Sequence, residues 1–292
     1  MDFQLIRPED DQKITEVFKL LREDYKDYKD PWGFNLDLCE KTLRKLVPLY
    51  RSYFKVRVFG AENVKDHPYI VASNHSGQVP IDGALITMAF VMDVFPPRVL
   101  RAMVERFMAQ LPFVGDFSAQ TGAILGDRAN SEYLLDNGES ILVFPEGVKG
   151  ISKNTPDFYK IKPFSYGFYR IALQKKTPIL PVCVIGAEEM FPFVFHSKKL
   201  ASFLKVPALP LTLNILPLPS PIDIYIGQEI PIPENLNEEA TEKEIKENVY
   251  HIENSVKKLL IQGLKNRRPF FDAIRKPISK FMIKEFRNKV LK

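Results

Sequence analysis

The 292-residue sequence is short of cysteine and of long apolar runs, and each shortage excludes a class of protein. Two cysteines, Cys39 and Cys183, provide no disulfide framework and fit a reducing compartment. No segment supplies the roughly 20 consecutive apolar residues that a membrane span needs. The uncharged stretch 206–222 contains five prolines, which exclude a spanning helix. The N-terminus is acidic and lacks a signal-peptide pattern, so we expect a cytoplasmic protein.

The charge is unevenly distributed along an otherwise ordinary globular composition. The net charge is +5, but residues 1–30 carry −3 and residues 265–292 carry +8. In the basic segment, apolar residues recur at steps of three and four, which predicts a basic amphipathic helix kinked at Pro277. Such a helix suits an anionic membrane surface, although a helix docked on the domain with a solvated basic face fits equally well. No nucleic-acid-binding motif is present, so nucleic acid is not expected as a partner.

The periodicity of apolar residues changes along the chain. Helical spacing predicts two N-terminal helices, over 10–28 and 36–53, the second interrupted at Pro48. Strand patterns then alternate with helical ones, which indicates an α/β fold with a largely parallel mixed sheet flanked by helices. The predicted strands are 55–59, 68–72, 98–104, 121–125, 140–144, 179–185 and 223–227, and the predicted later helices include 81–91, 164–174 and 239–264. We therefore expect an N-terminal helical segment (1–54), an α/β domain (55–234) and basic C-terminal helices (235–292).

A histidine and an aspartate follow the second predicted strand. His75 is a candidate general base, and Asp82 is a candidate partner that orients its imidazole. Seven residues of continuous helix would separate the two by about 10.5 Å along the axis, so a loop has to fold back between them. Gly77 permits such a turn. A capping or core histidine beside an unrelated aspartate is the alternative interpretation of this pair.

A second polar segment, Phe-Pro-Glu-Gly, follows the strand 140–144. It exposes Glu146 at the end of the strand, and Gly147 and Lys149 come directly after. Backbone N–H groups in a turn beside a lysine are suited to bind an anion. Carboxyl ends of parallel strands meet at one edge of a sheet, so this segment is expected close to His75. A plain turn with surface charges is the alternative.

Together these segments resemble the glycerophospholipid acyltransferase superfamily, whose members are similar to bacterial 1-acylglycerol-3-phosphate acyltransferase. Four blocks occur in the family's order. They are Asn74–Asp82, Gly122–Arg128, Phe144–Lys149 and Thr177–Gly186. Two departures are present: six residues rather than four separate the histidine from the aspartate, as in one branch of the superfamily, and Val148 and Lys149 replace the usual Thr-Arg.

The resemblance implies transfer of a fatty acyl group from acyl-CoA or acyl-carrier protein to a lipid hydroxyl. It assigns catalysis to His75 and Asp82 and contacts with substrate to a wider set. That set is Asn74, Arg128, Glu146, Gly147 and Lys149. Backbone N–H groups near 74–77 or Gly147 are expected to stabilise the oxyanion. No metal or other cofactor is expected, because His67, His196 and His251 show no ligand spacing.

The acceptor and the location follow from the same resemblance. A lysophospholipid or glycerolipid is the expected acceptor. However, Lys149 stands where the family has arginine, and lysine does not bind phosphate bidentately as arginine does, so diacylglycerol or an ornithine lipid stays an alternative. A non-catalytic lipid-binding protein and a thioesterase are further alternatives. The apolar stretches 190–195 and 206–222 are candidates for an acyl groove or a membrane-dipping loop, and a crossover packed on the core is as plausible. Lipid substrates place the enzyme peripherally on the cytoplasmic face of an anionic membrane.

Overall fold

The computed structural model describes residues 6–76, 80–106, 113–192, 194–196, 210–212 and 214–268. The helices are α1 (Pro8–Asp24), α2 (Leu36–Pro48), α3 (Ile81–Met92), α4 (Val114–Gln120), α5 (Arg128–Asp136), α6 (Val148–Ile151), α7 (Gly167–Lys175) and α8 (Glu242–Lys265). The strands are β1 (Arg57–Phe59), β2 (Ile70–Ser73), β3 (Arg101–Val104), β4 (Ile124–Leu125), β5 (Ile141–Val143), β6 (Ile179–Ile185), β7 (Val194–His196), β8 (Pro210–Thr212) and β9 (Asp223–Ile226).

Seven of these strands form one sheet, in the order β1-β9-β6-β2-β5-β3-β4. Every neighbouring pair is parallel except β6 and β9. The strands β7 and β8 form a separate antiparallel pair. The largely parallel mixed sheet predicted from the sequence is therefore confirmed.

Helices cover both faces of the sheet, because alternate side chains of its central strands point to opposite sides. Val71 packs with α1, α2 and α3 in one apolar cluster, whereas Ile70 and Ala72 pack with α5, α7 and α8 in the other. All seven residues of β6 are buried, which explains why this strand reads as a continuous apolar run. The segments before and after the α/β region share these two clusters, and the three-part division of the chain stays a prediction.

The ends of several elements follow local sequence signals. Pro48 ends α2, and the chain continues as one π-helical turn, Leu49–Tyr53, so the predicted interruption is confirmed. A capping box between Thr241 and Glu244 begins α8. Among the described helices, none is long and apolar enough to cross a bilayer. The basic amphipathic segment beyond residue 268 lies outside the described residues.

Candidate active site

His75 and Asp82 are in direct contact at the carboxyl end of β2. His75 Nδ1 lies 2.7 Å from Asp82 Oδ2. The same oxygen accepts the Ser76 N–H at 2.8 Å, and Oδ1 accepts the N–H of Gly83. Asp82 is fully buried in the first turn of α3, where the helix dipole favours a negative charge. The loop closure expected from the spacing is therefore present, and Nε2 is the ring nitrogen that remains for a substrate.

The imidazole of His75 is also fixed by packing. Its ring stacks on Phe144, with centroids 4.1 Å apart and an interplanar angle of 18°. Gly150, in α6, lies so close that a Cβ there would be 2.6 Å from His75 Cβ. This approach requires glycine, because real side chains do not pack at that distance. The strand β5 and the turn after it thus form a rigid support for the histidine.

The turn after β5 depends on Gly147. Its φ of 57° and ψ of −151° belong to a region that side-chain-bearing residues rarely adopt. Its N–H donates to the carbonyl of Phe144, while the N–H groups of His75 and Ser76 donate to Glu146 and Asp82. These three N–H groups are occupied within the protein, and the expected oxyanion hole in this part of the chain stays a prediction. Gly77, in the same expectation, lies outside the described residues.

Two residues expected to contact substrate are instead bonded to the protein. Asn74 donates to the carbonyl of Val184 at 3.1 Å and accepts its N–H at 2.8 Å, which ties the loop after β2 to β6. The carboxylate of Glu146 accepts the N–H of His75 at 2.9 Å and that of Lys162 at 2.7 Å. Both side chains are buried. Their geometry favours anchoring of the histidine loop over contact with a substrate.

A cavity of about 1220 Å³ opens beside the His75–Asp82 pair, with His75, Gly147 and Arg128 in its wall. It exceeds the roughly 300–1,000 Å³ typical of small-ligand sites. One part of the wall is apolar and comes from α1, α2, α3 and the residues just before β3. Its members include Phe18, Cys39, Leu43, Leu46, Met88, Val91, Val99 and Leu100. Lys149 is exposed and is not among the residues of this wall, although Gly147 and Val148 are, so its expected contact with substrate stays a prediction.

A second part of the cavity wall is charged. Three arginines, Arg106, Arg128 and Arg170, lie in it together with Glu105 and Asp127. Arg128 bonds to Glu132 and to Gln174 and is well exposed. Sequence reasoning identified Arg128 but missed Arg106 and Arg170, which stand outside the four sequence blocks. The packing of α7 against α5 brings Arg170 to the wall.

The described side chains of the apolar stretch 190–195 do not line the cavity. Met190, Phe191 and Val194 are buried in the core cluster that covers one face of the sheet. The described part of this stretch therefore follows the core alternative and not the groove. Residues 206–209 and 213 of the stretch 206–222 lie outside the described residues.

Comparison with known proteins agrees with the resemblance. Residues 55–185 match the family model Acyltransferase. Uncharacterised proteins of Mycobacterium tuberculosis and Mycobacterium bovis are 34% identical over 233 residues, 75% of this chain and 65% of theirs. This chain therefore spans just under two thirds of the length of those relatives.

Two further relatives carry functional names. A Saccharomyces cerevisiae protein named 1-acyl-sn-glycerol-3-phosphate acyltransferase is 29% identical over 141 residues, 44% of this chain and 42% of its own. A solved structure, the 1-acyl-sn-glycerophosphate acyltransferase from Thermotoga maritima, superposes with a TM-score of 0.49 at 18% identity, over 86% of this chain and 98% of that one. The match of residues 55–185 and the yeast relative support the resemblance of this region to the glycerophospholipid acyltransferase superfamily.

Proposed function

We propose that the protein transfers a fatty acyl group from a thioester donor to the hydroxyl of a lysophospholipid. The observation that carries this proposal is the His75–Asp82 contact of 2.7 Å on the wall of a large cavity. An oriented imidazole beside a cavity is what a general base requires. A protein that only binds lipid has no use for it. The family match and the yeast relative's name support the same reaction.

In this mechanism His75 Nε2 removes the proton of the acceptor hydroxyl as its oxygen attacks the thioester carbonyl. Asp82 holds the opposite nitrogen, fixes the tautomer and stabilises the imidazolium that forms. When the tetrahedral intermediate collapses, the C–S bond breaks and the imidazolium returns the proton to the leaving thiolate. The protein therefore needs no covalent intermediate, metal or other cofactor for the transfer.

The two parts of the cavity wall suit the two ends of such substrates. The apolar part between α1, α2 and α3 is suited to a fatty acyl chain, because burial of each CH₂ group contributes about 0.8 kcal/mol. The three arginines of the charged part are suited to phosphate, which arginine binds bidentately. The acceptor's phosphate and the phosphates of CoA both have this chemistry. Acyl-carrier protein, whose phosphopantetheine also carries phosphate, is the alternative donor.

Because Lys149 is not among the residues of the cavity wall, an acceptor without a phosphate group stays an alternative. An acceptor without a phosphomonoester, such as diacylglycerol or an ornithine lipid, would not need a cation at that position. Arg128 and Arg170 nevertheless lie on the wall and favour the phosphate-bearing acceptor.

The decisive experiment incubates the protein with palmitoyl-CoA and a panel of acceptors in liposomes, beside His75→Ala. The panel holds lysophosphatidic acid, other lysophospholipids, diacylglycerol and an ornithine lipid, and both free thiol and new lipid are measured. Thiol release that requires lysophosphatidic acid and vanishes in the variant is the expected result. Thiol release without any acceptor identifies a thioesterase instead. If the protein binds lipid but turns over neither CoA nor carrier-protein donors, the catalytic proposal is wrong and the protein is a lipid-binding protein.

The same proposal places the protein in the cytoplasm, peripherally on an anionic membrane. Exposed apolar side chains lie at the cavity: Phe117 and Val114 are in its wall and are 47% and 40% exposed, and Phe113, next to Val114 in the chain, is 88% exposed. Their contact with lipid would let an acceptor pass from the bilayer into the cavity. Phe113→Ser with Phe117→Ser is expected to weaken co-sedimentation with anionic liposomes. Phe95→Ser is the control, since Phe95 is 77% exposed but lies outside the cavity wall.

A further inference from the structure

Three neighbouring strand ends converge on the peptide of His75. The sheet order places β2 between β5 and β6, with all three parallel. Glu146 follows β5 and Glu188 follows β6, and both carboxylates turn towards a buried lysine, Lys153, just beyond α6. The side chains of these three residues are at most 1% exposed. A charge cluster this deep is expensive unless its members are closely paired.

The cluster holds the main chain of His75 on both sides. The His75 N–H donates to Glu146 Oε1 at 2.9 Å, and Lys153 Nζ donates to the His75 carbonyl at 3.1 Å. The ammonium also lies 3.2 Å from Glu146 Oε2 and 3.2 Å from Glu188 Oε1. One lysine therefore links both carboxylates to the carbonyl of the candidate base.

The charges of the cluster favour an ionised lysine. Burial lowers the pKa of the Lys153 ammonium, but Glu188 and Glu146 more than offset it, so that this pKa is raised. Burial also raises the pKa of Glu188, against the attraction of Lys153. Glu188 is in addition held by the N–H of Tyr159. Nζ is thus a charged donor whose position is fixed from several directions.

We propose that Lys153 is a positioning residue for the acyl transfer, which acts by fixing the peptide of His75. With the N–H and the carbonyl of His75 both held, the imidazole stays between Asp82 and Phe144 with Nε2 towards the cavity. Loss of the ammonium frees the carbonyl and lets the ring move. Displacements of about 1 Å at a reacting group reduce rates by up to about 100-fold. The inference rests on the proposed role of His75 as the base.

The test compares Lys, Gln and Met at position 153 in a common Glu188→Gln background. In that background, Lys153→Gln and Lys153→Met leave the same charge in the cluster, that of the Glu146 carboxylate. The two variants differ in whether the side chain at position 153 can donate a hydrogen bond to the His75 carbonyl. We expect the Met variant to lose at least about tenfold in kcat at an unchanged KM for palmitoyl-CoA. The Gln variant should recover most of that loss. Equal kcat in the Met variant and the Glu188→Gln reference would overturn the proposal.

Two further measurements distinguish a failure of this inference from misfolding of a variant and from a failure of the proposed function. Circular dichroism checks that each variant folds. If the Lys153→Met variant does not fold, the double variant Lys153→Leu with Glu188→Leu replaces it. Apolar replacement of a buried ion pair is often tolerated. The low-field NMR signal of the imidazole Nδ1–H bonded to Asp82 needs no turnover. Its loss in the Met or Leu variant and retention with Gln support the inference even if the wild type proves inactive. Its persistence in the Met or Leu variant refutes the inference, whatever the activity.

Discussion

Replacement of Asp82 by asparagine tests the proposed base most directly, because it changes one atom and one charge. Asp82 accepts three hydrogen bonds: from His75 Nδ1 at 2.7 Å, and from the N–H groups of Ser76 and Gly83 at 2.8 Å each. An amide has only one acceptor oxygen. Whichever way it turns, its NH₂ group faces one of the two backbone N–H groups, and that donor loses its partner.

The expected losses follow from the two orientations. A buried backbone N–H without a partner costs about 1–3 kcal/mol of folding stability. If the NH₂ group faces His75, the imidazole must carry its proton on Nε2 and no longer acts as a base. In a Ser-His-Asp triad, the same change lowers kcat by about 10⁴-fold. If the oxygen faces His75, the tautomer is kept and the loss is smaller, since only the charge that stabilises the imidazolium is gone.

The assay measures acceptor-dependent thiol release and the urea midpoint of the same preparation. We expect Asp82→Asn to lower kcat by about 10²- to 10⁴-fold with KM little changed. The control is Asp93→Asn, because Asp93 bonds to Tyr50 and Arg51 away from the cavity and should lower stability alone. An Asp82→Asn variant that keeps more than a tenth of the wild-type kcat would refute the assignment of His75 and Asp82 as a working pair.

Three further predictions concern packing, chain length and pH. Gly150→Ala places a Cβ 2.6 Å from His75 Cβ and 3.0 Å from Glu146 Cβ, so kcat should fall at least about tenfold in a folded protein; an unchanged kcat would contradict the close packing. Leu43→Trp fills the apolar part of the cavity and should shift preference to shorter acyl-CoA, measured as kcat/KM over a chain-length series; an unshifted series would place the acyl chain elsewhere. Burial raises the pKa of the Cys39 thiol from 9.0 to about 12, so the folded state keeps a proton that the unfolded chain loses. That proton contributes stability that is lost as pH rises through this range, about 1.4 kcal/mol per unit. The urea midpoint should therefore fall less between pH 8.5 and pH 11 in Cys39→Ala than in the wild type, and equal falls would show that burial does not raise the pKa of the Cys39 thiol.

The strands and the His75–Asp82 contact could be predicted from the sequence, because both depend on residues that are close together in the chain. The strand β6 was predicted to its exact ends, since an apolar run between a turn and Gly186 suits a strand buried on both faces. The contact required only that the loop between the two residues fold back. Predicted strands 98–104 and 121–125 proved shorter, at Arg101–Val104 and Ile124–Leu125, because apolar residues flanking an edge of the sheet need not pair.

The contacts that hold the peptide of His75 could not be predicted from the sequence, because they depend on the order of the strands in the sheet. Lys153 lies 78 residues beyond His75, and nothing in its neighbourhood marks it as buried. The resemblance assigned Glu146 a contact with substrate, and nothing in the sequence opposed it, because a carboxylate at a strand end looks exposed until the neighbouring strand is known. Its partners come from the loop after β2 and from Lys162, which only the paired strands bring together.

The apolar end of the cavity is built partly from residues that lie outside the family match. Residues 55–185 carry the family match, yet Phe18 and Leu43 in the cavity wall precede it. Buried Arg101 fastens this N-terminal segment to the sheet through ion pairs with Asp30 at 2.6 Å and with Glu139 at 3.0 Å. The loop between α1 and α2 is therefore held against β3, and the two helices line the apolar end of the cavity. If the acyl chain occupies that end, its preferred length is set by α1 and α2, and two proteins with identical motif blocks can differ in the lipid they make.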